Sequence, residues 1–114
     1  MRIGAIALFS LLAIACGSSY PPPNDEWSAA QQDVGKAEAG GAPDVPDAKL
    51  HLQLAQEDLA KSKQLIDQDN KRAASLIALA RVEAQLALSL AKQQKAEAAA
   101  QTVQTQLQSV KGGK

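Results

Sequence analysis

The chain contains 114 residues, 46% of them hydrophobic and only 3% aromatic, and its 12 basic and 12 acidic residues leave no net charge. This length allows one small domain. Its richness in Ala, Leu, Gln, Lys and Glu favours helix, because these side chains lose little freedom in a helix. No aromatic residues interleave the basic ones, which argues against a nucleic-acid partner.

Charge is distributed unevenly along the chain. Residues 24–69 contain ten acidic residues and four lysines, whereas residues 70–114 contain two acidic and seven basic residues. We expect the two halves to pack on each other with complementary charge. The alternative is that the basic half meets an anionic polymer or a lipid surface.

Residues 1–15 have the pattern of an export signal. Arg2 provides the positive start, residues 3–12 form an apolar run interrupted only by Gly4 and Ser10, and small residues follow. The run is too short to span a bilayer, which takes roughly 20 apolar residues. We therefore predict a signal peptide that is removed from the mature protein.

The sequence Leu-Ala-Ile-Ala-Cys-Gly at 12–17 resembles the lipobox of bacterial lipoproteins. In that family the cysteine receives diacylglycerol and becomes the acylated first residue of the mature protein. The resemblance implies that Cys16 is the lipid-attachment site and that the membrane is one partner. Gly17, in place of an aspartate, implies sorting to the periplasmic face of the outer membrane. Because Cys16 is the only cysteine, we expect no intrachain disulfide.

The rest of the chain divides into a tether, a helical domain and a short end. We predict an acylated cysteine and flexible tether over 16–24, stiffened by three prolines at 21–23, a helical domain over 25–110 and a flexible end over 111–114. The expected fold is all-α. It is an antiparallel three-helix arrangement, or a helical hairpin with a long C-terminal helix, after the signal peptide and the Pro-rich tether.

The first helix is predicted to begin at Asn24 or Asp25, either of which can cap it. Apolar residues then recur at spacings of three and four, as on a helix with one buried face. The helix is expected to end at about Ala39, because Gly-Gly-Ala-Pro follows at 40–43. Trp27 lies on the apolar face, and we expect it to anchor the core.

Two further helices are predicted. The second begins after Pro46, with Asp47 as its cap, and ends near Gln68. A turn at 67–70 is short enough to make the next helix antiparallel. The third is the longest and covers about 71–110.

The second helix is expected to pack against leucines of the third. The predicted core consists of Trp27, Leu52, Ala55, Leu59, Ile66, Leu76, Leu79, Leu86 and Leu90. Glu83 falls among these apolar residues. We expect its carboxylate either to reach Lys61 or Lys63 or to mark the place where a partner approaches.

Two other apolar stripes have no evident place in that core. On the second helix, Leu50, Leu54 and Leu65 predict either a second neighbour or an exposed strip. Beyond Lys92 the apolar pattern of the third helix changes phase, so its last turns cannot face the same hairpin. The residues of this candidate interaction stripe are Ala96, Ala99, Ala100, Val103, Leu107 and Val110.

No group of residues in the sequence points to catalysis, a cofactor or a metal. The sequence contains no nucleophile motif and no glycine-rich phosphate loop. His51 is the only histidine, and we expect it at the surface or at the boundary of the core rather than on a metal. Glu57 and Asp58 are neighbours that point about 100° apart on a helix, so we expect a solvated face. The protein is expected to be neither an enzyme nor a cofactor binder.

Residues 29–94 resemble a family catalogued as domain of unknown function 4398. The resemblance rests on Trp-Ser-Ala-Ala at 27–30, Gly-Gly-Ala-Pro at 40–43, Ala-Lys-Leu at 48–50 and Ala-Arg-Val-Glu-Ala at 80–84. It implies a small helical envelope protein. Members are often lipoproteins and are sometimes fused to a domain that binds peptidoglycan.

Two functions compete as expectations. In the first, the candidate interaction stripe docks on another envelope protein or on a second copy of the chain. In the second, the helices act as a spacer between the outer membrane and peptidoglycan, with Lys114 contacting or joining the wall. Lys114 resembles in kind the C-terminal lysine of the major outer-membrane lipoprotein, which is linked to peptidoglycan. However, interruptions at 21–23 and 40–46 prevent one continuous coiled coil.

Overall fold

The computed structural model describes residues 19–113, and all regular structure in that range is helical. The elements are α1 (Asn24–Ala39), a short 3-10 turn (Ala42–Asp44), α2 (Pro46–Leu65) and α3 (Asn70–Gly112). The predicted all-α class, the three helices and the long third helix are confirmed. The predicted signal peptide, Cys16 and Lys114 lie outside the described residues.

The first helix has the bounds that its sequence predicts, but the prediction that Asn24 or Asp25 caps it is wrong: Pro23 occupies the cap position, and no side chain among residues 19–113 caps the helix. Asp25 and Glu26 lie in its first turn, where their negative charge complements the positive end of the helix dipole. Gly40 and Gly41 end it, and Gly41 adopts a φ of 96°, which a residue with a Cβ rarely reaches. The glycines of the Gly-Gly-Ala-Pro stretch therefore end the helix, as the sequence predicts.

The second helix differs from its prediction at both ends. Pro46 is its first residue and Val45 occupies the cap position, so Asp47 lies in the first turn and is not the cap. The helix ends at Leu65 rather than near Gln68, because the backbone of Ile66 leaves the helical conformation with a ψ of 133° and Asp67 then adopts a left-handed φ of 70°.

The third helix begins immediately after that turn. The side chain of Asp69 accepts a hydrogen bond from the Arg72 amide at 3.1 Å and so caps α3. In the turn itself, the Asp67 amide donates to the side-chain oxygen of Asn70 at 2.8 Å. These two bonds fix the direction in which α3 leaves the turn.

α3 lies against both other helices and makes its most extensive contact with α2. His51 of α2 reaches Glu83, so α2 runs antiparallel to α3 from the turn. On α1, Asp33 reaches Arg81, while Gly40 approaches Leu88, so α1 runs in the same direction as α3. The result is the antiparallel three-helix arrangement.

The core of this bundle is lined mainly by alanine. On α3 the buried residues are Ala73, Ile77, Ala80, Ala84, Ala87 and Ala91. They face Ala30, Val34 and Ala37 of α1 and Ala48, Leu52, Ala55 and Leu59 of α2. Such short side chains allow the helices to pack closely. At the end of α1, Cδ1 of Leu88 fills the space that a side chain at Gly40 would need: an added Cβ would lie 2.4 Å from it.

The prediction that Leu79 and Leu86 belong to the core is wrong. Their side chains are 47% and 40% exposed, whereas Ile77 and Ala84 are buried. α3 presents its small residues inward, where they permit close packing, and carries these leucines on the opposite face. The predicted core residues Leu52, Ala55 and Leu59 are confirmed. Leu76, Leu90 and Ile66 are half-buried at its edge.

Trp27 packs against the core and is half-buried, as predicted. Its indole N–H donates a hydrogen bond to the Leu59 carbonyl at 3.2 Å, which ties α1 to α2. The ammonium of Lys63 lies 4.8 Å from the ring centroid, a favourable cation–π distance. Trp27 is therefore a structural residue in this fold.

Candidate functional site

The C-terminal half of α3 extends beyond the bundle. Every residue over 92–113 is exposed. The candidate interaction stripe lies within this segment, and the larger members Val103, Leu107 and Val110 are 55%, 58% and 77% exposed. The structure thus places the stripe on a free helix face within the described part of the chain. Its role in binding stays a prediction.

The half of α3 that packs in the bundle also carries exposed apolar residues. Leu79, Val82 and Leu86 lie on its outer face, and Val82 is 61% exposed. Sequence reasoning missed this surface because it assigned the leucines to the core. Their spacings of three and four were a signal of a continuous stripe, but spacing alone does not say which face of a helix is covered.

Two leucines of α2 are also exposed. Leu50 and Leu54 are 55% and 37% exposed. They flank His51 in sequence, and His51 contacts α3 through Glu83. α2 therefore both contacts its two neighbours and leaves an apolar strip exposed, so the two alternatives predicted for this helix occur together.

His51 and Glu83 form a half-buried pair between α2 and α3. His51 Nδ1 lies 2.5 Å from Glu83 Oε2, and their side chains are 27% and 19% exposed. The expectation that Glu83 reaches Lys61 or Lys63 is wrong, because the register of the hairpin brings His51 opposite it. Lys61 instead lies near Glu57 and Asp58 of its own helix. The boundary position predicted for His51 is confirmed.

A second polar link joins α1 to α3. Arg81 Nε donates to Asp33 Oδ2 at 2.9 Å, and Asp33 is largely buried. This hydrogen bond from the guanidinium lowers the pKa of Asp33 below its ordinary value; burial opposes the change, and Lys36 adds to it. The pair crosses from the acidic half of the chain to the basic half, as the charge division predicts.

Two cavities among the described residues lie apart from the His51–Glu83 pair. One is lined by Ser19, Tyr20, Asp69, Asn70 and Lys71. The other lies where α2 begins and is lined by Val45, Asp47, Leu90, Gln93, Gln94 and Glu97. Among residues 19–113, no group of three or more His, Cys, Asp or Glu side chains is placed to hold a metal ion.

α3 is long and apolar enough to cross a membrane by length and composition, with a best window of mean hydropathy 1.4 that is 28% buried. The most apolar stretch, over 73–91, contains the charged residues Arg81 and Glu83. Both are paired with the other helices, through Asp33 and His51 respectively. This stretch of α3 therefore serves as the central helix of the bundle.

Comparison with known proteins gives one result. Residues 25–103 match a protein family described as a domain of unknown function, DUF4398. No curated protein and no solved structure matches the chain. The matched region covers α1 except for its first residue, all of α2, and α3 as far as Val103, which lies within its exposed segment. Because the match covers more than half of the chain, the chain belongs to the DUF4398 family.

Proposed function

We propose that this protein is a lipid-anchored helical interaction module of the bacterial cell envelope, which binds another protein through the outer face of α3. The observation that carries the proposal is the exposed stripe at 96–110. An apolar row of this length on a helix is a surface that a second amphipathic helix can cover.

The arrangement of α3 supports this function. Its inward face is already occupied by α1 and α2 over 73–91, so the bundle holds the helix in a fixed orientation. The exposed segment continues from that rigid base without a break in the helix. The bundle thus nucleates the helix of the exposed segment, so less of the chain has to be ordered when the partner docks.

The lipobox resemblance at 12–17 supplies the location in this proposal. Several acyl chains on Cys16 would hold the protein at the membrane, since each buried methylene contributes about 0.8 kcal/mol and a single chain binds only marginally. The Pro-rich tether then separates the bundle from the lipid surface. α3 has a length of roughly 64 Å from its first residue to its last.

Two substitutions test the interaction surface. Val103→Glu with Leu107→Glu places two charges on the stripe and should remove the bound protein from affinity-purified membrane complexes. Gln101→Glu with Thr105→Glu adds the same charge at the same spacing to the opposite face of these turns and should leave binding intact. Equal binding by both double variants would refute the proposed surface.

The anchor is tested separately. Cys16→Ser should move the protein from the membrane fraction to the soluble fraction, because the acyl chains can no longer be attached. A protein that stays in the membrane fraction after this change is held by something other than lipid on Cys16.

A spacer between membrane and peptidoglycan is the second candidate function. The extension of α3 over 92–112, roughly 30 Å beyond its last buried residue, favours it. In this case deletion of Lys114 should abolish the protein that remains attached to purified peptidoglycan. The glutamate variants at 103 and 107 should not affect that attachment.

A further inference from the structure

The exposed leucines and valines of α3 lie in one row, together with two alanines, two serines and a glutamine. From Ser75 to Val110 the spacing alternates between four and three without interruption. We call this row the outer seam: Ser75, Leu79, Val82, Leu86, Ser89, Gln93, Ala96, Ala100, Val103, Leu107 and Val110. In heptad notation Leu79, Leu86, Gln93, Ala100 and Leu107 are a positions and the others are d positions. A seam of five heptads is typical of a two-stranded coiled coil.

A different row of α3 serves the bundle. The buried residues over 73–91 also alternate between spacings of four and three, and they lie at b and f positions of the same heptads. Beyond Ala91 that inward row continues with Gln94, Ala98, Gln101, Thr105 and Gln108, which are mostly polar. The inward row therefore ends with the bundle, whereas the outer seam continues along the free segment to Val110.

We propose that a second copy of this chain covers the outer seam, with the two α3 helices parallel and in register. This inference rests on the proposed function and names its partner. Both copies would then leave the same membrane surface in the same direction, as two chains with N-terminal anchors must.

The polar positions of the seam restrict the alignment. Ser89 and Gln93 are its central polar residues. In the parallel pair each meets its own counterpart, so the amide and the hydroxyl groups have hydrogen-bond partners. A polar residue at an a position is a known determinant of register. One antiparallel alignment also satisfies these groups, because it brings Gln93 against Ser89 of the second copy.

The charged residues beside the seam distinguish these two alignments. Lys92 is a g position and Glu97 the following e position, so a parallel pair brings Lys92 opposite Glu97 of the second copy on both sides. The antiparallel alignment instead brings Lys92 against Lys92 and Glu83 against Glu97. Like charges at these positions destabilise the pair, so the charges favour the parallel arrangement.

The size of the contact lies at the lower limit for a specific dimer interface. Residues 75–110 extend along about 52 Å of helix, and a contact strip about 10 Å wide would cover about 500 Å² on each copy. The total of about 1,000 Å² reaches the lower limit expected of a specific interface.

Disulfide cross-linking of the full-length chain in its own membrane tests the proposal. Ala100→Cys places a thiol at an a position, where two copies approach within disulfide range. Ala98→Cys is the matched control, because the same residue type lies two positions away on the opposite face. Under mild oxidation Ala100→Cys should migrate at twice the mass of the chain, whereas Ala98→Cys and the unchanged protein should remain monomeric.

A charge reversal provides a second measurement. Lys92→Glu in the Ala100→Cys background places like charges across the pair and should reduce the yield of cross-linked dimer. Adding Glu97→Lys restores opposite charges and should recover the yield. A reduction that the second reversal does not recover would overturn the parallel alignment.

Other results have definite meanings. Cross-linking only in a mixture of Ala100→Cys with Val82→Cys would show the antiparallel pair and overturn the proposal, as would equal cross-linking at 98 and 100. If Ala100→Cys stays monomeric while the glutamate variants at 103 and 107 still release a different protein, the second copy is wrong and the proposed function stands. If neither effect occurs, both are wrong.

Discussion

Ile77 and Leu79 are two residues apart on α3, similar in size, and opposite in exposure, so their alanine variants test which face of α3 is the core. Ile77 is 1% exposed. Its truncation removes three carbons, at about 0.8 kcal/mol each in transfer free energy, or about 2.4 kcal/mol. The surrounding side chains are mainly alanines, which are too short to fill the space. The cavity that remains adds to this cost, so Ile77→Ala should lower the free energy of unfolding by about 3–4 kcal/mol.

Leu79→Ala removes the same number of carbons from a side chain that is 47% exposed. About half of the transfer term is then lost, or roughly 1.2 kcal/mol, and no closed cavity forms. The difference between the two variants should be about 2 kcal/mol. This is a large fraction of the stability of a small domain, and it corresponds to a difference of about 8–16 °C in Tm.

Urea titration followed by Trp27 fluorescence measures this difference, because Trp27 is the only tryptophan and packs on the core. The titration should be run at low protein concentration, where the outer seam is free. Equal midpoints for the two variants, or a lower midpoint for Leu79→Ala, would show that the leucines and not the alanine face line the bundle.

Three further substitutions test α1 and its C-terminal end. Gly35→Ala should stabilise the protein by about 0.5–1 kcal/mol, because nothing lies within 4 Å of the added Cβ and alanine favours a helix interior. Gly40→Ala should instead destabilise it by about 1–3 kcal/mol, since the added Cβ would meet Leu88. If thermal melts show that the two alanine variants shift Tm in the same direction, Leu88 does not lie close to Gly40. Asp33→Asn should lower the free energy of unfolding at neutral pH by about 0.5–1 kcal/mol. The pKa of Asp33 is lowered in the folded state, so its contribution is present above the unfolded pKa of about 3.9 and is lost as the pH falls through the folded value. Urea titrations of variant and parent should therefore converge in acid, and a gap that persists there would mean that the Asp33 charge is not its source.

The helices were predictable because their ends are set locally. Gly-Gly-Ala-Pro must stop α1, and proline suits the first turn of α2. The predicted end of α2 near Gln68 is three residues too late, because Ile66 leaves the helical conformation and Asp67, a non-glycine residue, adopts the left-handed one. Composition does not single out which of several Asp and Asn residues will do so.

The face of α3 that forms the core was not predictable in the same way. The helix carries two rows with the same three-and-four spacing, one of alanines with Ile77 and one with leucines and valines. Greater apolar area favoured burying the leucines, whereas the close approach of α1 and α2 requires the alanines. The His51–Glu83 pair was missed because it depends on the register of the hairpin, which the geometry of the turn decides.

The two halves of α3 should unfold differently, the half in the bundle in one cooperative step and the exposed half gradually. No residue over 92–113 is buried, so this segment can lose helical structure turn by turn while the bundle remains folded. Trp27 fluorescence would then report one sharp transition, and circular dichroism, which counts every helical residue, would begin to fall at lower temperature. In a paired molecule the segment would melt together with its counterpart, and the two curves would coincide. The difference in temperature between the two melting curves is therefore a measure of how much of α3 a second helix covers.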